Sequence, residues 1–190
     1  MSGLKQQIIL ASASPRRELL LREMGLAFTV VKPDGVEELA GGLAPESLAT
    51  HNAQRKARAV AGRHREAVVL GADTIVVLDG VIYGKPRDLG EAAVMLGKLA
   101  GRAHEVFTGV CLAHRARGVE TTFCERTRVW MKPFSAAEIA EYFRKVNPLD
   151  KAGAYAAQEH GETIIAKIEG SFANVMGLPV ERLRTVLEAL

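Results

Sequence analysis

Cysteine is nearly missing from this chain: Cys111 and Cys124 are the only two among 190 residues. Neither sits in a Cys-x-x-Cys pair or beside a histidine cluster, which argues against a zinc site. They fall on two consecutive expected strands, and two reduced thiols are the expected state in a cytosolic protein. Long apolar runs are missing too, so no segment reaches the length a membrane span needs. The first apolar stretch, Ile8-Ile9-Leu10-Ala11, meets polar residues at once and is too short for a signal-peptide core. The expected location is the cytoplasm, with no membrane partner. A strong charge bias is also lacking. The net charge of +3 and pI near 9.0 are too mild to argue for a nucleic-acid partner, although they suit a local pocket for a small anion. No Gly-x-x-x-x-Gly-Lys-Ser/Thr or Gly-x-Gly-x-x-Gly occurs, so neither a P-loop nor a dinucleotide fold is supported. Ser12 and Ser14 lie outside any nucleophile elbow, and no histidine pairs with them obviously. Repeats and low-complexity segments are lacking as well.

What remains is an ordinary globular composition, 48% hydrophobic and 25% charged, at a length that fits one domain spanning 1–190. Ile8–Ala11 reads as a buried strand. Ser14 offers an N-cap and Pro15 a first helical position, opening a helix over 16–24 that Gly25 closes. Phe28–Val31 reads as a strand and Lys32–Pro45 as a loop. A long helix follows to Gly62, with Leu48, Ala49, Ala53, Ala57 and Val60 on one face. Asn52, Arg55, Lys56, Arg58 and Arg63 make the rest strongly basic. Val68–Gly71 is a wholly apolar strand ending in Ala72-Asp73-Thr74, and Ile75–Leu78 continues extended. Asp79-Gly80 is a hairpin signal. Tyr83–Pro86 is a loop, Asp88 caps a helix to Leu99, and His104–Ala113 and Glu120–Met131 are two longer strands. Ser135 and Glu138 predict a capping box for a helix to Lys145. Asn147–Gly161 reads as irregular, Glu162–Ile168 as a strand, Gly170–Leu178 as a loop, and Pro179 starts the last helix. Helices interleave with strands and hairpins interrupt them, which predicts an α/β fold with a mixed sheet.

Several residues can carry chemistry. A helix N-terminus has free N–H groups and a partial positive charge, yet this one opens with Arg16 and Arg17. Two cations there are costly unless an anion lies among them, held by amides, by the Ser12 and Ser14 hydroxyls and by the guanidinium forks. The plain alternative is a capped helix with solvated arginines. Asp73, directly after an apolar strand, is expected at the strand's C-terminal edge, where ligands collect in α/β sheets. It suits a divalent metal or proton transfer from water, or else a simple Asx turn. Lys56 and Lys85 are isolated cations that read equally as solvated charges. Glu37 and Glu38 read as solvated, unless one of them joins Asp73 around a metal. Asp150-Lys151-Ala152-Gly153-Ala154-Tyr155-Ala156-Ala157-Gln158 is rich in small residues and ends in an amide suited to reading a base edge. The five histidines share no metal spacing and read as surface or structural.

Taken together, Leu10-Ala11-Ser12-Ala13-Ser14-Pro15-Arg16-Arg17-Glu18-Leu19-Leu20, Gly71-Ala72-Asp73-Thr74, Gly84-Lys85-Pro86 and Asp150-Lys151-Ala152-Gly153-Ala154-Tyr155 resemble the signatures of the Maf family of nucleoside triphosphate pyrophosphatases. Gly170-Ser171-Phe172 and Val175-Met176-Gly177-Leu178-Pro179 fit as well. The resemblance implies a Maf or inosine triphosphatase-like fold, with a curved mixed sheet, flanking helices and two lobes around a deep cleft. It implies phosphate-binding roles for Ser12, Arg16, Arg17, Lys56 and Lys85, and makes Asp73 the catalytic acid or base. Glu38, favoured over Glu37, would join Asp73 at a divalent metal, with Mg2+ the default at an all-oxygen site and Mn2+ the alternative. Arg16, Thr74 and Gln158 match positions linked to base choice. The Pro-Arg-Arg turn and the Asp-Lys-Ala-Gly-Ala-Tyr run resemble the branch acting on dTTP and UTP, whereas the 7-methyl-GTP branch differs in both places. The dTTP/UTP branch usually has Gly-Ile-Gln after the tyrosine where this chain has Ala156-Ala157-Gln158, which bears on fine substrate preference. Dimerisation is a family tendency. The competing readings are a non-catalytic nucleotide-binding regulator of septum formation and a pyrophosphatase for another base.

Overall fold

The structure is a computed structural model that describes residues 7–190. A seven-stranded mixed sheet carries the chain, with strands β1 (Ile8–Ala11), β2 (Phe28–Val30), β3 (Val68–Leu78), β4 (Val81–Tyr83), β5 (Ala103–His114), β6 (Val119–Met131) and β7 (Ile165–Glu169). Its order is β2-β1-β3-β5-β6-β7, with β4 pairing to β3 off this path. β1 lies parallel to both β2 and β3, while β3–β4 and β6–β7 are antiparallel. The helices are α1 (Pro15–Glu23), α2 (Pro45–Ala61), α3 (Leu89–Leu99), α4 (Ala136–Lys145), α5 (Gly161–Ile164), α6 (Phe172–Met176) and α7 (Val180–Glu188), with a 3-10 turn over Ala152–Ala154. None of them is long and apolar enough to cross a membrane.

The chain divides into two compact units. The first holds the described residues up to Asp73, Thr108–Cys124 and Val180–Leu190. Its core gathers Ile9, Ala11, Ala53, Ala57, Val60, Val69 and Cys111. Close backbone approach sets its geometry. A Cβ on Gly71 would lie 2.3 Å from the Ala53 carbonyl oxygen, and one on Gly109 would lie 2.3 Å from the Ala49 carbonyl carbon. Ala49, Ala53 and Ala57 recur every four residues and so form one stripe on α2. Alanine on the helix and glycine on the strands let α2 seat directly on the sheet, which fixes where its other side chains point. The second unit holds Thr74–Phe107 and Glu125–Pro179. Its core is larger in side-chain size, with Tyr83, Leu96, Leu99, Val129, Met131, Ile139, Tyr142 and Tyr155.

Local signals in the sequence formed much as expected. Asp79 and Gly80 both take positive φ, 50° and 76°, between β3 and β4, as a tight Asp-Gly hairpin requires. The Asp88 side chain accepts from the Glu91 amide, and Ser135 with Glu138 closes a complete capping box. Three expectations need correcting. β3 does not stop before Asp73 but runs unbroken through it to Leu78, so Asp73 lies within a strand rather than at its end. Its parallel neighbour β1 pairs only as far as Ala11 with Gly71, which puts Asp73 two residues beyond the end of β1. Residues 161–164 form a helical turn before β7, where a strand from Glu162 was expected, and the expected loop over 170–178 contains α6. Ser171 caps α6 by accepting from the Asn174 amide.

Candidate active site

The loop after β1 uses its serines differently from the expectation of a Ser14 cap. Ser14 occupies the N-cap position of α1, but its side chain makes no capping bond. The Ser12 hydroxyl does the work instead. It accepts from the Ser14 amide at 3.1 Å and from Arg17 Nη1 at 3.3 Å. Ser12 and Arg17 are buried, and Arg16 is half-buried. Glu18, the acid of the first turn, ion-pairs with Arg22 at 2.6 Å. Burial pulls the Arg17 guanidinium below its usual pKa, the attraction of Asp73 opposes this, and the like charge of Arg16 adds to it. Glu38 is a further attractive charge on Arg17. Arginine keeps its charge despite such shifts, so a buried cation stands at the positive end of a helix.

On α2 the basic face divides. Arg58 turns outward and pairs with Glu120, whereas Lys56 is buried. Its ammonium lies 2.7 Å from Asp73 Oδ1 and 2.7 Å from Glu38 Oε1, and donates to the Ala72 carbonyl at 3.3 Å. Asn52, one turn earlier, is also buried. Its Nδ2 donates to Asp73 Oδ2 at 3.1 Å and to the Leu39 carbonyl at 3.0 Å, and its Oδ1 accepts from the Leu39 amide at 2.9 Å. Asn52 thus ties the acidic loop and Asp73 to one helix. Sequence reasoning placed Asn52 in the strongly basic remainder of the helix, with no role of its own. The readable signal was its spacing of four from Lys56, which puts the two on the same face.

The structure therefore brings Ser12, Arg17, Glu38, Lys56 and Asp73 into one constellation, with Asn52 added. Glu37 and Glu38 are both exposed, and Glu38 enters through its ion pair with Lys56. Thr74 follows Asp73 on β3 and, by strand alternation, faces the other way. Thr74, Lys85 and Gln158 belong to the second unit. Lys85 is exposed on the segment between β4 and α3. Gln158 is half-buried, and its Nε2 donates to Glu159 Oε1 at 3.0 Å. No group of three or more His, Cys, Asp or Glu side chains converges among the described residues. The donors to a metal would be Glu38 and Asp73, both carboxylates. Mg2+ commonly takes one or two carboxylates and fills its octahedron with phosphate oxygens and water, so this donor set fits it. Cys111 is buried and its thiol is pushed up to about 12 by that burial, as expected of an inert structural cysteine.

The chain is 48% identical over 178 residues to a dTTP/UTP pyrophosphatase of Symbiobacterium thermophilum, covering 93% of this chain and 90% of that protein. It is 46% identical over 181 residues to a dTTP/UTP pyrophosphatase of Myxococcus xanthus, covering 95% and 91%. Among solved structures, the Ham1 protein of Staphylococcus aureus superposes with a TM-score of 0.55 at 17% identity, over 97% of this chain and 99% of that one. A HAM1 protein from Coxiella burnetii gives 0.55 at 16%, over 97% and 100%. At such identities the two structures speak for the fold alone. The model of the Maf-like proteins matches residues 7–190, through both units and every motif described above, and the chain belongs to the Maf family.

Proposed function

We propose that this protein hydrolyses dTTP and UTP to the nucleoside monophosphate and pyrophosphate at the Asp73 constellation. The observation that carries the reading is the buried Asp73 carboxylate, held on one oxygen by Lys56 and on the other by Asn52, in the same unit as the Ser12–Arg17 turn. Pure anion binding does not require a carboxylate there, whereas hydrolysis does. The names carried by relatives at 48% and 46% identity supply the substrate.

In this mechanism the amides at the start of α1, the Ser12 hydroxyl and the Arg17 guanidinium bind phosphate oxygens. Arg16 adds charge at the same helix end. Lys56 and Asn52 orient the Asp73 carboxylate, whose remaining lone pairs accept a proton from water as its oxygen attacks the α-phosphorus. The α–β phosphoanhydride bond breaks and pyrophosphate leaves with the electron pair, its charge balanced by the basic residues. Glu38 and Asp73 would hold the divalent cation. When bound, the metal offsets phosphate charge and polarises the P–O bonds. Lys85 would add to the phosphate grip, and Thr74 and Gln158 to base choice.

The test is pyrophosphate release from a panel of nucleoside triphosphates, with Mg2+ and with chelator, by wild type and Asp73→Asn. Wild type should turn over dTTP and UTP and stop in chelator, and Asp73→Asn should lose about 10²–10⁴-fold in kcat. Near wild-type turnover by Asp73→Asn removes Asp73 from catalysis. Nucleotide bound without product over hours would identify a non-catalytic regulator.

A further inference from the structure

Residues 31–44, between β2 and α2, form neither helix nor strand, and none of them is buried. The leucines of this segment do not anchor it, since Leu39 is 38% exposed and Leu43 43%. Its centre, Glu37-Glu38-Leu39, lies between two glycines of positive φ, Gly35 at 69° and Gly42 at 84°. A Cβ on either would meet nothing within 4 Å, so these glycines serve the backbone conformation and not close packing. A solvated strap with a glycine at each end depends on its polar contacts for its position.

Those contacts converge on one turn of α2. The Asn52 side-chain amide gives one N–H to the Leu39 carbonyl at 3.0 Å and the other to Asp73 Oδ2 at 3.1 Å, while its Oδ1 accepts from the Leu39 amide at 2.9 Å. The partners fix this orientation, because a backbone N–H only donates and an ionised carboxylate only accepts. One turn further on, Lys56 Nζ lies 2.7 Å from both Glu38 Oε1 and Asp73 Oδ1. The strap and Asp73 are therefore bridged twice, by an amide and by an ammonium. The two bridges are not equivalent. An ammonium on a flexible stem can follow either acid, whereas the three amide bonds exist together only when the strap is down and the carboxylate is turned towards α2.

We propose that Asn52 is a positioning residue that latches the strap and the Asp73 carboxylate together, so that lifting the strap at Leu39 also frees the carboxylate to rotate. The inference rests on the proposed function, in which Asp73 takes the proton from water. With the latch closed, Oδ2 is pinned and the carboxylate offers one orientation to the attacking water. With the Leu39 bonds broken, the Asn52 amide itself can turn, and its hold on Asp73 goes with it. The two ends of the latch differ in what replaces them. Leu39 is exposed, so water takes over its backbone bonds, whereas Asp73 is buried and has no such ready substitute.

The experiment combines turnover of UTP, with Mg2+, by wild type, Asn52→Leu, Asp73→Asn and the double variant with hydrogen exchange of the Leu39 amide in the free proteins. Asn52→Leu should lower kcat about 10–100-fold with KM within a few-fold of wild type, and the Leu39 amide should exchange at least about tenfold faster while the α2 amides stay protected. In the Asp73→Asn background the same substitution should cost less than about threefold, because the carboxylate that it serves is already gone. Equal losses in both backgrounds overturn the proposal, since a merely structural residue acts alike in each. An unchanged Leu39 exchange rate or an unchanged kcat also overturns it. Asn52→Thr keeps one hydroxyl in place of three bonds and provides a milder second variant, with the same expected direction in kcat and exchange. Near wild-type turnover by Asp73→Asn would sink the proposed role of Asp73 itself. An impaired Asp73→Asn beside an unimpaired Asn52→Leu would sink only the role of Asn52.

Discussion

Among the described residues two lysines are buried, one in each unit, and their partners come from different distances along the chain. Lys56, its side chain 8% exposed, meets Glu38 and Asp73, which lie 18 and 17 residues away. Lys151, 5% exposed, meets Asn147, Asp150 and Glu159, all within one local segment. Lys56 stands where it does because alanines and glycines seat α2 on the sheet. Lys151 stands where it does because its own segment folds around it. A buried cation assembled from three separate pieces of chain suits the proposed reaction centre, since carboxylates and cations are set against each other there. A buried cation held locally makes a brace.

The largest effect should come from Lys56→Met. It leaves the buried Asp73 carboxylate with Asn52 but without its ammonium, and removes a cation from the proposed phosphate grip. Activity should fall by about 10² or more, and urea unfolding should show a loss of about 3 kcal/mol. Wild-type-like kcat/KM would mean that Lys56 only neutralises acids. Gly71→Ala should come next, although it touches no charged group. Its methyl must displace the Ala53 backbone, at a cost of about 1–3 kcal/mol, and Lys56 moves with the helix. The readouts are the unfolding midpoint together with pyrophosphate release, and activity should fall by more than the stability loss explains. An unchanged midpoint would show that α2 does not depend on that contact.

The second unit should show a pH dependence of its own. His104 is buried against Tyr155, with His104 Nε2 and the tyrosine hydroxyl 2.7 Å apart, and burial lowers its pKa to about 4. The unfolded chain, with His near 6.5, therefore binds a proton that the folded chain refuses between about pH 6.5 and pH 4. Stability is lost as pH falls through that window, by about 1 kcal/mol between pH 6.5 and 5.5. Chemical unfolding of wild type and His104→Gln at both pH values should show a smaller loss in the variant. Equal losses would place the dependence elsewhere. Lys151→Met should have the smallest effect on stability, about 1 kcal/mol, since Asp150 and Glu159 are 47% and 42% exposed and remain solvated. A loss as large as that of Lys56→Met would erase the contrast between the two lysines.

Most elements whose formation is local were legible in the sequence. The Asp-Gly turn, the Asp88 cap, the Ser135–Glu138 box and the apolar stripe of α2 each state their own structure, because their stabilising bonds lie within a few residues. The short α5 and α6 were not legible, since helices of four and five residues carry no period to read. Asp73 was singled out in the sequence as an acid at the end of an apolar strand, a placement that the structure changes. An acid inside a strand breaks the apolar pattern, and only pairing with a shorter neighbour shows that the strand continues past it. Asn52 was missed as a participant because its spacing of four from Lys56 shows that the two share a face of α2 but not that this face is buried.

The amino-acid sequence by itself determined the order of the longer elements, the basic turn of Ser12, Arg16 and Arg17, and the presence of Asp73, Glu38, Lys56 and Gln158 as candidates. These follow from backbone propensities and side-chain chemistry, which act over one or two turns. Tertiary structure alone decided that Lys56 turns inward while Arg58 turns outward, that Glu38 and Asp73 meet at one ammonium, and that Asn52 holds the other Asp73 oxygen. It also decided that one helix seats on Gly71 and Gly109. Burial and close packing depend on what arrives from elsewhere in the chain, and a charge acquires its partner only when that arrival is complete.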